Sequence, residues 1–295
     1  MAVTYAEFQF PDGSHYSGTC LVGTQTPHGY GTLTTLTSTY VGSWFQGSRT
    51  GYGTMCSQAS YPGELVQYDG GFKDGYYHGD GTATYMVSPS AMTYDYHISY
   101  SGGWFNGQWD GRGMIRYASR TEYEGGVKMG LKDGYGTMTF ADGSCHYEGG
   151  WKDDKQDGYG VMTYGDGRRY EGGWRMGQKD GFCVEIDVNG QRYEGGVHGD
   201  NNTHGYGVKD WMDGTRYDGG WKDGRQHGYG SQTSVGDAYD GGIKDGLRAG
   251  FGRGYTAGGV YEGGYKDNYP EGYGTQIYEN GCQVRGGWHQ GAQVL

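Results

Sequence analysis

The chain has 295 residues and a formal net charge of −11, and Leu, Ile, Val and Phe together account for only 35 positions. That composition excludes an ordinary aliphatic core and falls in the range of disordered chains. Thirty-one tyrosines and eight tryptophans offer large flat apolar surfaces instead, and no apolar run approaches the roughly 18 residues needed to span a membrane.

Read from the start, MAVTYAEFQF carries neither a charged leader nor an apolar leader core, which predicts a cytoplasmic protein. The five cysteines (Cys20, Cys56, Cys145, Cys183 and Cys282) are odd in number and show no CxxC pairing, which points to a reducing compartment. Asp12-Gly13 is the first of a series of tight-turn dipeptides that returns at Asp142-Gly143, Asp166-Gly167, Asn189-Gly190, Asp213-Gly214 and Asn280-Gly281. Each is a short-range hairpin signal.

The turns alternate with a second pattern. Tyr-x-Gly-Gly, or a close variant, begins at Tyr16, Tyr40, Tyr68, Tyr100, Tyr123, Tyr147, Tyr170, Tyr193, Tyr217, Tyr239 and Tyr261, with Val284 replacing the tyrosine of a twelfth copy. From Tyr100 onward the steps are 22 to 24 residues. A Gly-aromatic-Gly signature, or a close variant, follows, its first glycine 11 residues after the tyrosine in nine of eleven copies. Two landmarks in register predict an array of repeats in which neighbours stabilise one another, not two separate domains. We read residues 1–295 as one array of about twelve units: irregular over 1–99, regular over 100–281, with a closing assembly unit at 282–295.

Residues 158–177, GYGVMTYGDGRRYEGGWRMG, illustrate one unit: two short strands joined at Asp166-Gly167. Alternation puts Tyr170, Gly172 and Trp174 on one face of the second strand. Glycine weakens a strand, so its recurrence beside rings predicts bare backbone making room for a ring from the adjoining strand. Twelve hairpins give about 24 strands, roughly 115 Å if flat at about 4.8 Å each, and twist would coil the ribbon. The expected fold is all-β, an elongated, twisted, single-layer antiparallel sheet of stacked hairpins.

The stretches 134–153 and 158–177 resemble MORN repeats, whose typical element is a YEGxWxxGxxxGxG-like string, and the resemblance covers almost the whole chain. It implies a solenoid used in scaffolding, with cytoskeletal or membrane-associated protein partners. Some members are phosphoinositide binders, and others carry a catalytic domain after the repeats, which this sequence does not show. Two intervals depart from the regular spacing: segments 57–66 and 86–98 carry extra residues at the turn end, with Pro62 and Pro89. Either these are tolerated loop insertions, or Tyr94, Tyr96 and His97 form a partner-specific epitope.

No catalytic, cofactor or metal constellation emerges. His28, His78, His204 and His227 share one repeat slot, and neither HExxH nor paired Cys/His spacing occurs. The run Asp153–Gly158 fails as a calcium loop, because Lys155 stands at its third position and Tyr164 at its twelfth. Glu124, Glu148, Glu171, Glu194 and Glu262 hold one repeat position, which reads as a solvated acidic stripe.

The function expected is therefore a non-enzymatic interaction scaffold with no cofactor, metal or nucleic-acid partner. The candidate contacts are Trp104, Trp151, Trp174 and Trp221 with Tyr100, Tyr147, Tyr170 and Tyr217, the alternative for these rings being internal stacking. Anionic phospholipid is the second candidate ligand, although clustered Lys and Arg are lacking, and a cell-wall module is a remote third. A homodimer through the last repeats is expected at Tyr273, Ile277, Val284 and Trp288, because an outermost strand exposes unpaired backbone.

Overall fold

The computed structural model describes residues 1–86, 96–141, 143, 145–199 and 202–294. Among these the protein is all-β, with 25 strands and no helix. The chain falls into two compact units, residues 1–155 and 156–295. The first holds the strands from Val3–Gln9 to His146–Lys152, the second those from Lys155–Thr163 to Ala292–Val294. Within each unit the strands pair antiparallel with their chain neighbours, as an open meander of hairpins.

Two kinds of turn alternate. At the Asp-Gly or Asn-Gly end, Gly13, Gly167 and Gly214 have φ of 87°, 91° and 81°, and at Asp166-Gly167 the Tyr164 and Arg168 backbones close the loop at 2.9 Å. At the other end both central residues are left-handed, as at Asp223 (φ 48°) and Gly224 (φ 80°). That is the mirror-image turn whose twist suits a hairpin.

Within each unit one face of the strands is the core. Along Arg169–Arg175 the residues Tyr170, Gly172 and Trp174 are buried and their neighbours are not, the alternation expected from the sequence. The eleven repeat tyrosines are at most 5% exposed. Each hydroxyl donates to the backbone carbonyl three residues on, at 2.6–3.3 Å, from Tyr16 to Thr19 through Tyr261 to Gly264. A large ring is thereby buried without leaving its polar atom unpaired.

The glycines make that burial possible. A Cβ on Gly136 would lie 2.4 Å from the Tyr123 hydroxyl, and one on Gly230 would lie 2.5 Å from a Tyr217 ring carbon. In a typical repeat, the ring of one strand thus occupies the space that a side chain on the next would need. The second glycine of Gly-Gly faces backbone, with a Cβ on Gly126 meeting the Asp133 carbonyl at 2.1 Å. There the ladder is interrupted: Gly125 pairs Gly136, but Val127 pairs Lys132, so the facing strand carries two extra residues. Gly134, at φ 96°, absorbs the excess, which only glycine does without strain.

Between the tyrosines sit the residues of the tryptophan slot, packed edge-on. Trp44 is perpendicular to both Tyr16 and Tyr40, at 5.5 and 5.2 Å, and Trp221 lies at 5.5 and 5.3 Å from Tyr193 and Tyr217. Such edge-to-face pairs add to the burial energy. A third partner covers the exposed side of several tyrosine rings. It is Trp109 stacked on Tyr100 at 4.4 Å, Lys179 over Tyr170 at 4.6 Å, or Arg248 over Tyr239 at 4.8 Å. Lys132 is buried among Tyr117, Tyr123 and Trp151, with its Nζ donating to the Tyr117 hydroxyl at 3.1 Å. A flat ring and a cation are interchangeable at this slot because both are attracted to the face of a ring.

Candidate partner-binding face

The expected contact series lies inside this core. Tyr100, Tyr147, Tyr170 and Tyr217 are 0% exposed, and their hydroxyls are committed to Gly103, Gly150, Gly173 and Gly220. Trp104, Trp151, Trp174 and Trp221 are buried and donate their indole N–H to the carbonyls of Gly81, Gly136, Gly160 and Gly207. Their geometry is that of internal packing, with no ring of the eight presented at the surface.

The opposite face carries the exposed rings. The middle residue of each Gly-aromatic-Gly string, and Phe182 of Gly181-Phe182-Cys183, points away from the core: Tyr30, Tyr52 and Tyr135 in the first unit, and Tyr159, Phe182, Tyr206, Tyr229, Phe251 and Tyr273 in the second, all 60–75% exposed. Its cause is local. In Gly-Tyr-Gly the second glycine surrenders its side of the sheet to a neighbouring ring, as Gly136 does to Tyr123, so the residue before it projects the other way. In the sequence this string serves only as a spacing landmark. A ring flanked by two glycines was the signal that could have found it.

In the second unit each ring stands directly opposite a glycine: Tyr159 faces Gly173, Phe182 Gly196, Tyr206 Gly220, Tyr229 Gly242, Phe251 Gly264 and Tyr273 Gly287. The floor between rings is therefore bare backbone. Between Phe251 and Tyr273 it forms a shallow groove bordered by Glu262, Thr275, Ile277 and Arg285. In the first unit the row is broken where Asp80 and Arg112 replace the ring, and a groove beside Tyr135 is bordered by Arg112, Glu124 and Glu148.

The repeated acidic position lies on this same face, in a more organised setting than a solvated stripe. Glu148 accepts from the Tyr135 hydroxyl at 2.8 Å, while Glu171 accepts from Tyr159 and Asp218 from Tyr206. Donation from Tyr159, with Arg169 at 2.5 Å, holds the Glu171 carboxyl below its ordinary pKa. The carboxylates in turn hold the Tyr135, Tyr159 and Tyr206 hydroxyls above the ordinary tyrosine range. Arg112 pairs with Glu124 at 3.0 Å, and Arg192 pairs with Glu194. Ring and acid are thus coupled pairwise across hairpins.

The remaining candidates are dispersed. Tyr94 lies outside the described residues. Tyr96 is half-buried, its carbonyl accepting from Ala118 at 2.9 Å, and His97 packs its ring on Trp109 and Tyr117, each at 5.0 Å. Segment 57–66 is tied down, with Gly63 and Glu64 bonded to Met86 at 2.8 Å and Tyr61 exposed. Of the expected assembly residues, Tyr273 and Ile277 border the exposed groove, whereas Val284 pairs with Gln276 on the other face and Trp288 is packed against Tyr261 at 5.2 Å. They do not form one patch. The slot histidines differ by unit: His28 and His78 pack on Phe45 and Phe105, while His227 lies 3.4 Å from Asp245 and His204 3.9 Å from Asp223. Among the described residues no group of three His, Cys, Asp or Glu could hold a metal, and no helix is long and apolar enough to cross a membrane.

The MORN repeat family model matches ten stretches: 40–58, 68–86, 100–122, 123–145, 147–168, 170–192, 193–216, 217–236, 239–253 and 261–283. The chain belongs to the MORN-repeat family. No curated protein matches it. Among solved structures, similar ones include the TCP10 domain of Danio rerio CPAP in complex with a peptide of Danio rerio STIL, at 13% identity, TM-score 0.31, covering 95% of this chain and 97% of that one. The same Danio rerio domain alone gives 13% identity, TM-score 0.28, and covers 89% and 94%. At these values the likeness says nothing about partners.

Proposed function

We propose that the protein is an interaction scaffold of the MORN-repeat kind, and that it holds partner proteins on the exposed ring face. One observation carries this reading: in the second unit six consecutive hairpins present a ring that is 60–75% exposed over a glycine floor, while a separate set of rings builds the core. Single exposed apolar residues are ordinary, but an ordered row marks an interaction surface. Exposed tyrosines supply both area and a directional hydroxyl, the combination enriched at protein interfaces. The cytoskeletal setting that the family resemblance implies belongs to the same reading.

The test compares the full chain with the triple variant Tyr206→Ser, Tyr229→Ser, Phe251→Ser, each tagged and crosslinked in the source cell. We expect an unchanged melting temperature and loss of most specifically crosslinked proteins. Retention of the same partners at the same yield would contradict the assignment of this face.

A further inference from the structure

The ring row of the second unit has a spacing that constrains what lies on it. Successive rings are separated by two strands, about 9.6 Å. Three residues of polyproline II span about 9.3 Å and complete one turn, so every third side chain of such a segment returns to the same side, one per ring. A β-extended segment advances a similar distance in three residues but alternates its faces, and so would address only every second ring. An α-helix needs about 6.4 residues for the step and meets each next ring with a face rotated by about 80°.

Charge adds a second constraint. On the same face Asp218, Asp240 and Glu262 stand at successive repeats, interleaved with Tyr206, Tyr229, Phe251 and Tyr273. Among the described residues none of these three acids is within ion-pair distance of a Lys or Arg. Arg216 is committed to Asp210 at 2.7 Å, Arg248 to Asp237, and the Arg253 guanidinium lies over the Tyr255 ring at 5.1 Å. Asp218 accepts from the Tyr206 hydroxyl but has no cation beside it, and a slot bordered by a ring and a carboxylate without a cation partner suits a cationic side chain, which is attracted to both.

We propose that the second unit binds a polyproline II segment of a partner protein that carries Arg or Lys at every third position, one cation per slot from Asp218 to Glu262. The inference rests on the scaffold reading above and deepens it by naming the partner's chemistry. The rigid, low-entropy conformation of such a segment matches a surface of regular slots with a fixed pitch.

The test uses the full chain and fluorescently labelled synthetic peptides near physiological ionic strength. The probe is Pro-Pro-Arg repeated four times. Its control has the same composition, with arginines separated alternately by one and three prolines, so that overall charge attraction is equal. We expect at least a tenfold tighter Kd for the three-residue register, and loss of that preference in the Asp218→Asn, Asp240→Asn variant. Equal affinity for the two peptides, binding of neither, or a preference for phosphoinositide vesicles over the peptides would overturn the proposal. If partner crosslinking still depends on Tyr206, Tyr229 and Phe251 while the peptides are not distinguished, the ring-face reading stands and the proline-arginine register falls.

Discussion

Replacing Tyr217 by alanine is expected to destabilise the protein by about 3–5 kcal/mol, whereas Tyr229→Ala, twelve positions further on, shifts stability by less than about 0.5 kcal/mol. Both are tyrosines in strands of the same hairpin array, and propensity does not separate them. Tyr217 is 0% exposed, packs edge-on against Trp221 at 5.3 Å and fills the space above Gly230; Tyr229 is 71% exposed. Since Gly230 has no side chain to close the gap, removing the Tyr217 ring leaves a cavity floored by rigid backbone, which collapses poorly. Tyr217→Phe falls between the two: it keeps the ring but leaves the Gly220 carbonyl without the hydroxyl that donates to it at 2.9 Å, a loss of about 1–3 kcal/mol. Thermal unfolding of the three variants checks this order. Equal destabilisation by Tyr217→Ala and Tyr229→Ala would sink the division into a core face and a partner face.

A second large effect is expected at high pH. Burial pushes the hydroxyls of Tyr16, Tyr40, Tyr217 and Tyr239 up to about 12 and raises those of Tyr68, Tyr100, Tyr123, Tyr170 and Tyr193 as well. The unfolded reference is about 10. A raised folded-state pKa means that the unfolded state gives up its proton first. The stabilisation is therefore complete below pH 10 and is lost as the pH rises from there through about 12. Because the same linkage acts at many repeats at once, the loss is steep: unfolding and the part of the tyrosinate absorbance that comes from the buried repeat tyrosines should rise together in one cooperative transition within that window. Circular dichroism and ultraviolet absorbance followed on one sample measure both. Ionisation of the whole tyrosine complement with the sheet signal intact would contradict it.

Much of the fold was legible because its signals are local. Tyr170, Gly172 and Trp174 read as one buried face by simple alternation, and Asp166-Gly167 read as a turn. Less legible was which rings do what. The Tyr-x-Gly-Gly tyrosines drew notice as partner contacts because they are the most regular residues, yet that regularity follows from internal demands: a ring over glycine, a hydroxyl on a carbonyl, an edge against tryptophan. Tyr229 looked like a spacing marker, since nothing in a single string shows that Gly228 and Gly230 serve opposite constraints. Gly228, at φ 98°, absorbs the two extra residues opposite Gly219–Trp221, and Gly230 yields to the Tyr217 ring. Interruptions of a strand ladder depend on pairing between strands, and pairing is not written in either strand alone. The exchange of Trp109 for Lys179 or Arg248 over a tyrosine ring was hidden for the same reason, since those residue types look unlike one another until the ring beneath them is seen.

The most direct measurement of the central division is nitration of the native protein by tetranitromethane, with the modified tyrosines located by mass spectrometry. Modification is expected at Tyr30, Tyr52, Tyr135, Tyr159, Tyr206, Tyr229 and Tyr273, and protection at Tyr16, Tyr40, Tyr68, Tyr100, Tyr123, Tyr147, Tyr170, Tyr193, Tyr217, Tyr239 and Tyr261 until the protein is unfolded. Nitration of Tyr170 or Tyr217 in the folded protein at the rate of Tyr229 would contradict it.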